Sequence, residues 1–132
     1  MTPLHIALIT AAIANGGSLY QPSLELGRYP KAVSRIMKKQ TARKLQVLMR
    51  SVVEKGTGYR ANISSVLIAG KTGTAEVAGK QPHSWFASFA PVDNARMVVV
   101  VLIENGGYGG AAAAEAARHI YETAVESGYF LR

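Results

Sequence analysis

Apolar positions fall into several distinct patterns along this chain. From Leu4 to Ala14 nearly every position is apolar, with no polar face at helical spacing. Thr2 can cap free amides and Pro3 suits a first helical turn, while Asn15, Gly16 and Gly17 supply an exit. The pattern predicts a short helix buried on all sides. Between Ser18 and Tyr29 the apolar runs are short and broken by Pro22 and Gly27, which predicts an irregular or extended piece, and Pro30 argues against a helix through it. From Thr41, read as a cap, to about Lys55, the positions Leu45, Leu48 and Val52 form the stripe of an amphipathic helix that Gly56, Thr57 and Gly58 end.

Beyond a loop containing Asn62 the period changes to that of strands. Ala69 to Val77 reads as a strand interrupted by Gly70 and Gly73, and glycine inside a strand is costly unless backbone or ligand approaches closely. A turn at Gly79 to Pro82 leads to a strand from Ser84 to Ala90, closed by Pro91, Asp93 and Asn94. Met97 to Ile103 is a β-branched run apolar on both faces, which predicts a central position in its sheet. After the glycine-rich stretch Gly106 to Gly110, an alanine-rich helix runs to about Ser127, with Ile120, Ala124 and Val125 toward the sheet and Glu115, Arg118 and Glu122 toward water. Successive strands on short turns, followed by a helix, predict an antiparallel meander covered by helices.

Composition narrows the chemistry. The 132 residues suffice for one domain with a real core and are few for two. Cysteine is absent, which excludes disulfides, thiolate catalysis and cysteine-ligated metals. His5, His83 and His119 lack metal-ligand spacing, so neither a metal nor another cofactor is expected. No apolar run reaches the eighteen residues of a membrane helix, and no secretory leader is recognisable at the N-terminus. Net charge is +7, and Arg28 to Lys44 holds seven lysines and arginines without an acid. That run is either a solvated basic face or a seat for an anionic polymer, membrane or nucleic acid; interleaved aromatics and nucleic-acid motifs are lacking.

Gly70, Lys71 and Thr72 have the ending of a phosphate-binding loop, but Ser65 stands where that loop needs glycine and the lysine lies inside a predicted strand. A better reading is an edge-strand site. Lys71 carries a mobile positive charge, Thr72 and Thr74 carry hydroxyls, Gly73 gives clearance, and edge amides can stabilise an oxyanion. Alternation places Lys71 and Gly73 on one face and Thr72 and Thr74 on the other. Trp85, alone of its kind on a strand, is either a core or a cleft-wall aromatic, and core packing is the expectation.

The stretch Ala-Gly-Lys-Thr-Gly-Thr-Ala-Glu from Ala69 to Glu76 resembles the third conserved motif of class B penicillin-binding proteins. Thr2 to Gly17 resembles the helix after that family's middle motif, the Gly56-Thr57-Gly58 turn is placed as in the family, and His83 to Pro91 and Val98 to Gly107 resemble its next two strands. Nearly the whole chain is covered, with Gln21 to Gln40 loosely matched. The resemblance implies an α/β fold of the α+β type, an antiparallel sheet flanked by helices forming the C-terminal portion of a β-lactamase/transpeptidase-like fold. It implies a serine D,D-transpeptidase that cross-links peptidoglycan stem peptides and is acylated by β-lactams. Lys71 would bind the terminal carboxylate, Thr72 and Thr74 would offer hydroxyls, the Thr74 amide would form half an oxyanion hole, and Gly73 would leave the strand bare. Serine β-lactamases and β-lactam sensor domains carry the same motif and are near alternatives.

The family attacks with a serine three residues ahead of a lysine and adds a Ser-x-Asn. Neither occurs here; Ser34, for example, meets Met37 at the required position. Residues 1–132 are therefore read as a C-terminal portion, incomplete on its own and inactive alone, or as a non-catalytic homologue. The first reading is preferred because an exposed Lys71 makes little packing sense without a ligand. Its partners would be the portion carrying Ser-x-x-Lys and Ser-x-Asn, stem peptides, β-lactams and the cell elongation or division machinery, without nucleic acid. Its place would be the extracytoplasmic face of a bacterial membrane, with the anchor outside this chain.

Overall fold

The computed structural model describes residues 1–108 and 110–131. Thr2 is extended and its hydroxyl accepts the His5 amide at 3.3 Å, so helix α1 starts at the following proline and spans Pro3–Ala14. Gly16 and Gly17 leave it with φ of 85° and 103°, and a side chain on Gly17 would collide with the Met37 carbonyl. The helix packs on β1, α2, β4 and β5, yet only Thr10 and Ala12 are buried, and Leu4 is 58% exposed. The expected all-round burial is thus not achieved within this chain, because its neighbours cover only part of the apolar surface.

The segment expected to be irregular or extended begins with a short strand. β1 (Ser18–Tyr20) pairs antiparallel with β2 (Ala32–Arg35), with Ser18 opposite Arg35. Arg35 donates to the Gly16 carbonyl at 2.8 Å and fastens this ribbon to the end of α1. Helix α2 (Lys39–Lys55) starts two residues before the expected cap, Thr41; Lys38 holds the cap position without a side-chain hydrogen bond. Its buried residues are Ala42, Met49 and Val53, whereas Leu45 and Val52 are half-buried and Leu48 is 63% exposed. The helix has two apolar stripes, and the one expected inside is largely open. Gln46 donates to the Ile13 and Ala14 carbonyls at 2.7 and 3.2 Å, satisfying acceptors that the end of α1 leaves over.

Strands β3 (Ala69–Ala75), β4 (His83–Ala90) and β5 (Met97–Ile103) form an antiparallel meander in the order β3-β4-β5. The antiparallel sheet and flanking helices agree with the expected fold class. The run Met97–Ile103 does not take the central place expected of it; β4 does. β5 is apolar on both faces because α1 and the third helix each cover one, and its outer edge has no strand partner among the described residues. Helix α3 (Ala111–Glu126) lies close on the sheet through Ala113, Ala114, Ala117 and Ala124. Ile120 turns outward at 44% exposure and Tyr121 enters the core in its place. Phe86, Ile68, Val53 and Tyr121 fill the space between the sheet and α3, while Phe89, Ala69 and Met49 form a smaller cluster on the α1 and α2 side.

One polar contact is set deep in the larger cluster. The Ser88 hydroxyl donates to the Val99 carbonyl at 3.0 Å and lies 3.0 Å from the Tyr121 hydroxyl. Burial pushes the Tyr121 phenol well above its usual value near 10, outweighing the opposite pull of Ser88 and Val99. The folded state therefore holds this proton more tightly than the unfolded chain. The stability it confers is present below pH ~10 and declines above it. Thermal melts of the protein carrying this chain are expected to show a steeper loss above that pH than melts of Tyr121→Phe, whose cost at neutral pH is about 1 kcal/mol.

Candidate active-site wall

β3 is an edge strand, so alternate backbone groups point away from β4. Directly paired residues share a face: Lys71 lies opposite Ala87 and Gly73 opposite Trp85. These point toward α1 and α2. Thr72, opposite Phe86, and Thr74, opposite Ser84, point toward α3. Lys71 and Thr74 are exposed, Gly73 is half-buried and Thr72 is only 8% exposed.

The two glycines of β3 have different causes. A methyl on Gly70 would come within 2.5 Å of the Phe86 ring and 2.9 Å of Ser88, so this position is bare to let the core close. Gly73 meets only Trp85, at 3.2 Å, on the open face. Trp85, expected in the core, is half-buried beside Gly73 and belongs to the wall of the open face. Because Phe86 and Ser88 occupy the α3 face of β4, alternation leaves residue 85 on the other one.

Lys71 borders a groove whose apolar walls are Thr10 and Ile13 of α1, Leu48 and Val52 of α2, and Ala87 of β4. Ser51 and Lys55 line it as well. The Lys71 ammonium donates to the Thr72 carbonyl at 2.7 Å. The Thr72 hydroxyl faces away and stands 2.7 Å from that of Thr57, in the glycine-flanked turn after α2. The sequence marks this turn but no role for its hydroxyl; a threonine between glycines, ahead of a lysine strand, is the available signal. Together these residues can present a cation, hydroxyls and edge amides to an extended anionic ligand. They supply no activated nucleophile.

The basic run is distributed over the β1–β2 ribbon and the first half of α2, with Arg28, Lys31, Lys38 and Lys44 exposed. The histidines lie apart: His5 meets Thr2, His83 accepts the Asn105 amide, and His119 faces Glu122. Among the described residues no cluster of metal ligands occurs and no helix is long and apolar enough to cross a membrane.

A family profile described as the penicillin binding protein transpeptidase domain matches residues 1–122. The chain belongs to this family. Among curated relatives it is 37% identical to peptidoglycan D,D-transpeptidase PbpA of Mycobacterium tuberculosis, a match covering 96% of this chain and 30% of that protein. It is 29% identical to stage V sporulation protein D of Bacillus subtilis over 80% of this chain and 19% of that protein. Among solved structures, the D,D-transpeptidase domain of a peptidoglycan glycosyltransferase from Eggerthella lenta superposes with a TM-score of 0.83 at 31% identity, covering 97% of this chain and 33% of that one. The imipenem acyl-enzyme complex of penicillin-binding protein A from M. tuberculosis gives 0.77 at 36% identity, covering 92% and 30%. The chain thus spans about a third or less of the length of these relatives. None of these relatives bears the name of a β-lactamase, a sensor or a nucleic-acid-binding protein.

Proposed function

We propose that this chain is the substrate-binding wall of a serine D,D-transpeptidase domain whose Ser-x-x-Lys and Ser-x-Asn lie on a further portion of the protein. The observation that carries this reading is Lys71: a charged side chain held exposed on an edge strand, beside bare Gly73, lining a groove whose serine, Ser51, has Glu54 rather than lysine three residues on. Two further features support a missing portion. The groove walls of α1 and α2 remain apolar and open, and the outer edge of β5 lacks a strand partner among the described residues.

In the assembled site the serine oxygen attacks the penultimate D-alanine carbonyl of a stem peptide and its proton passes to a base of the further portion. The carbonyl oxygen becomes an oxyanion, which the Thr74 amide stabilises as one of two donors. Lys71 draws the terminal carboxylate into register, and the Thr72 and Thr74 hydroxyls complete that contact. The peptide bond breaks, D-alanine leaves with the proton, and an ester remains on the serine. An amine from a neighbouring stem then attacks the ester, forming a new peptide bond and returning the proton to the serine. A β-lactam enters the first half of this cycle and stops at the ester.

Such chemistry places the protein at the extracytoplasmic face of a bacterial membrane, among the elongation or division machinery. Incubating the full-length protein with a donor stem ending in D-Ala-D-Ala and an amine acceptor is expected to release one D-alanine per cross-link formed. Release of D-alanine without any cross-link, under saturating acceptor, would replace transpeptidation by simple hydrolysis.

A further inference from the structure

At its far end β3 pairs Thr74 with Ser84 and Ala75 with His83, and the chain turns between Ala75 and His83 into β4. Two hydrogen bonds cross from the base of this hairpin to the connection between β5 and α3. The Gly107 amide donates to the carbonyl of buried Pro82 at 3.0 Å, and the Asn105 amide donates to Nδ1 of half-buried His83, also at 3.0 Å. Asn105 has φ of 55°, and the next amide, that of Gly106, donates back to the Ile103 carbonyl at 3.2 Å, so a tight turn aims the Asn105 N–H at the imidazole. The same connection ends at Gly110, where a side chain would stand 2.7 Å from the Thr72 Cβ. It thus meets the sheet at Thr72 and at the Ala75–His83 pair, and Thr74 lies between these two points.

A backbone amide can only donate, so Nδ1 of His83 accepts and the neutral ring carries its hydrogen on Nε2. We infer that His83 is a positioning residue for the acylation step: by accepting the Asn105 amide it locks the base of the β3–β4 hairpin to the β5–α3 connection and keeps the neighbouring Thr74 amide aimed at the oxyanion. This rests on the transpeptidase reading above and adds to it a residue of another strand, outside the groove beside Lys71. An oxyanion donor acts where charge develops, so its alignment matters more in the transition state than in the first complex with the ligand. Loosening the clasp should therefore cost rate rather than affinity.

The test uses the full-length protein and benzylpenicillin, with the affinity of the first complex and the acylation rate constant measured separately. His83→Phe keeps a ring but offers no acceptor. It is expected to lower the rate constant about tenfold, part of the ~10²-fold that a 1 Å misplacement of a reacting group costs, and to leave the affinity within about twofold. His83→Asn sets an amide oxygen close to the place of Nδ1 and should bring the rate constant back to within about threefold of wild type. His83→Gln, whose oxygen lies one bond further out, should remain slow. A His83→Phe protein that acylates at the wild-type rate, that loses affinity instead of rate, or that no longer folds would make the imidazole a packing group and overturn the inference. An Asn variant as slow as the Phe variant would do the same. A wild-type protein that benzylpenicillin leaves unmodified would end the transpeptidase reading itself.

Discussion

Treated alone with a fluorescent penicillin, this 132-residue chain is expected to keep its unmodified mass, while the same chain joined to the nucleophile-bearing portion proposed above is expected to gain one adduct on that portion. Lys71, Thr72 and Thr74 can orient a carbonyl and steady developing charge, but none of them is set up to form the covalent bond. In the joined protein, Lys71→Ala should slow acylation by about 10²–10³ without moving the attachment site, the scale of one preorganised electrostatic contact. Ser51 makes the control informative, because it lines the same groove as Lys71 and Lys55. Intact mass and peptide mapping would show an adduct on Ser51 directly. Stoichiometric modification there would place the nucleophile inside this chain and end the assignment to a further portion.

Gly110→Ala is expected to be among the more damaging of the small substitutions. The position has φ of 62°, where a residue with a side chain is strained, and its methyl would stand 2.9 Å from the Trp85 carbonyl as well as against Thr72. A backbone oxygen cannot rotate away, so strain and overpacking add to about 2–4 kcal/mol. The relief available is an outward shift of α3 or of β3, and the second would displace Lys71 and Thr74 together. Denaturation of the joined protein should show the loss of stability, and the acylation rate should fall even where the protein remains folded. Unchanged stability would mean that α3 enters the sheet differently from the geometry described here.

The meander and the last helix were legible because their signals are local. A β-branched run from Met97 to Ile103, turns at Gly79 to Pro82, and alanines after Gly110 state their conformation without reference to distant residues. The lysine strand and its alternation were legible for the same reason. What failed depended on which neighbours are present. Apolar residues at Leu48 and Val52 mark a stripe, but Ala42, Met49 and Val53 mark another, and only packing decides which one faces the sheet. The apolar faces of Met97–Ile103 pointed to a central place that β4 takes instead, since helices can cover both faces of an outer strand equally well. β2 escaped notice because every one of its residues is exposed and so leaves no hydrophobic period. Thr57 was visible as part of a turn, but a hydrogen bond to a residue fifteen positions away has no sequence signature.

The outer edge of β5, without a strand partner among the described residues, has a practical outcome for anyone who expresses residues 1–132 alone. Its Val-Val-Val-Val-Leu-Ile core is rich in β-branched residues, uncharged and free of proline, the composition of a self-templating strand, and no lysine or proline guards it. Where no other strand covers that edge, another copy of the same strand is the nearest available complement. Overproduction of residues 1–132 alone should therefore yield insoluble, dye-binding deposits, and Val100→Lys should raise the soluble fraction without creating activity.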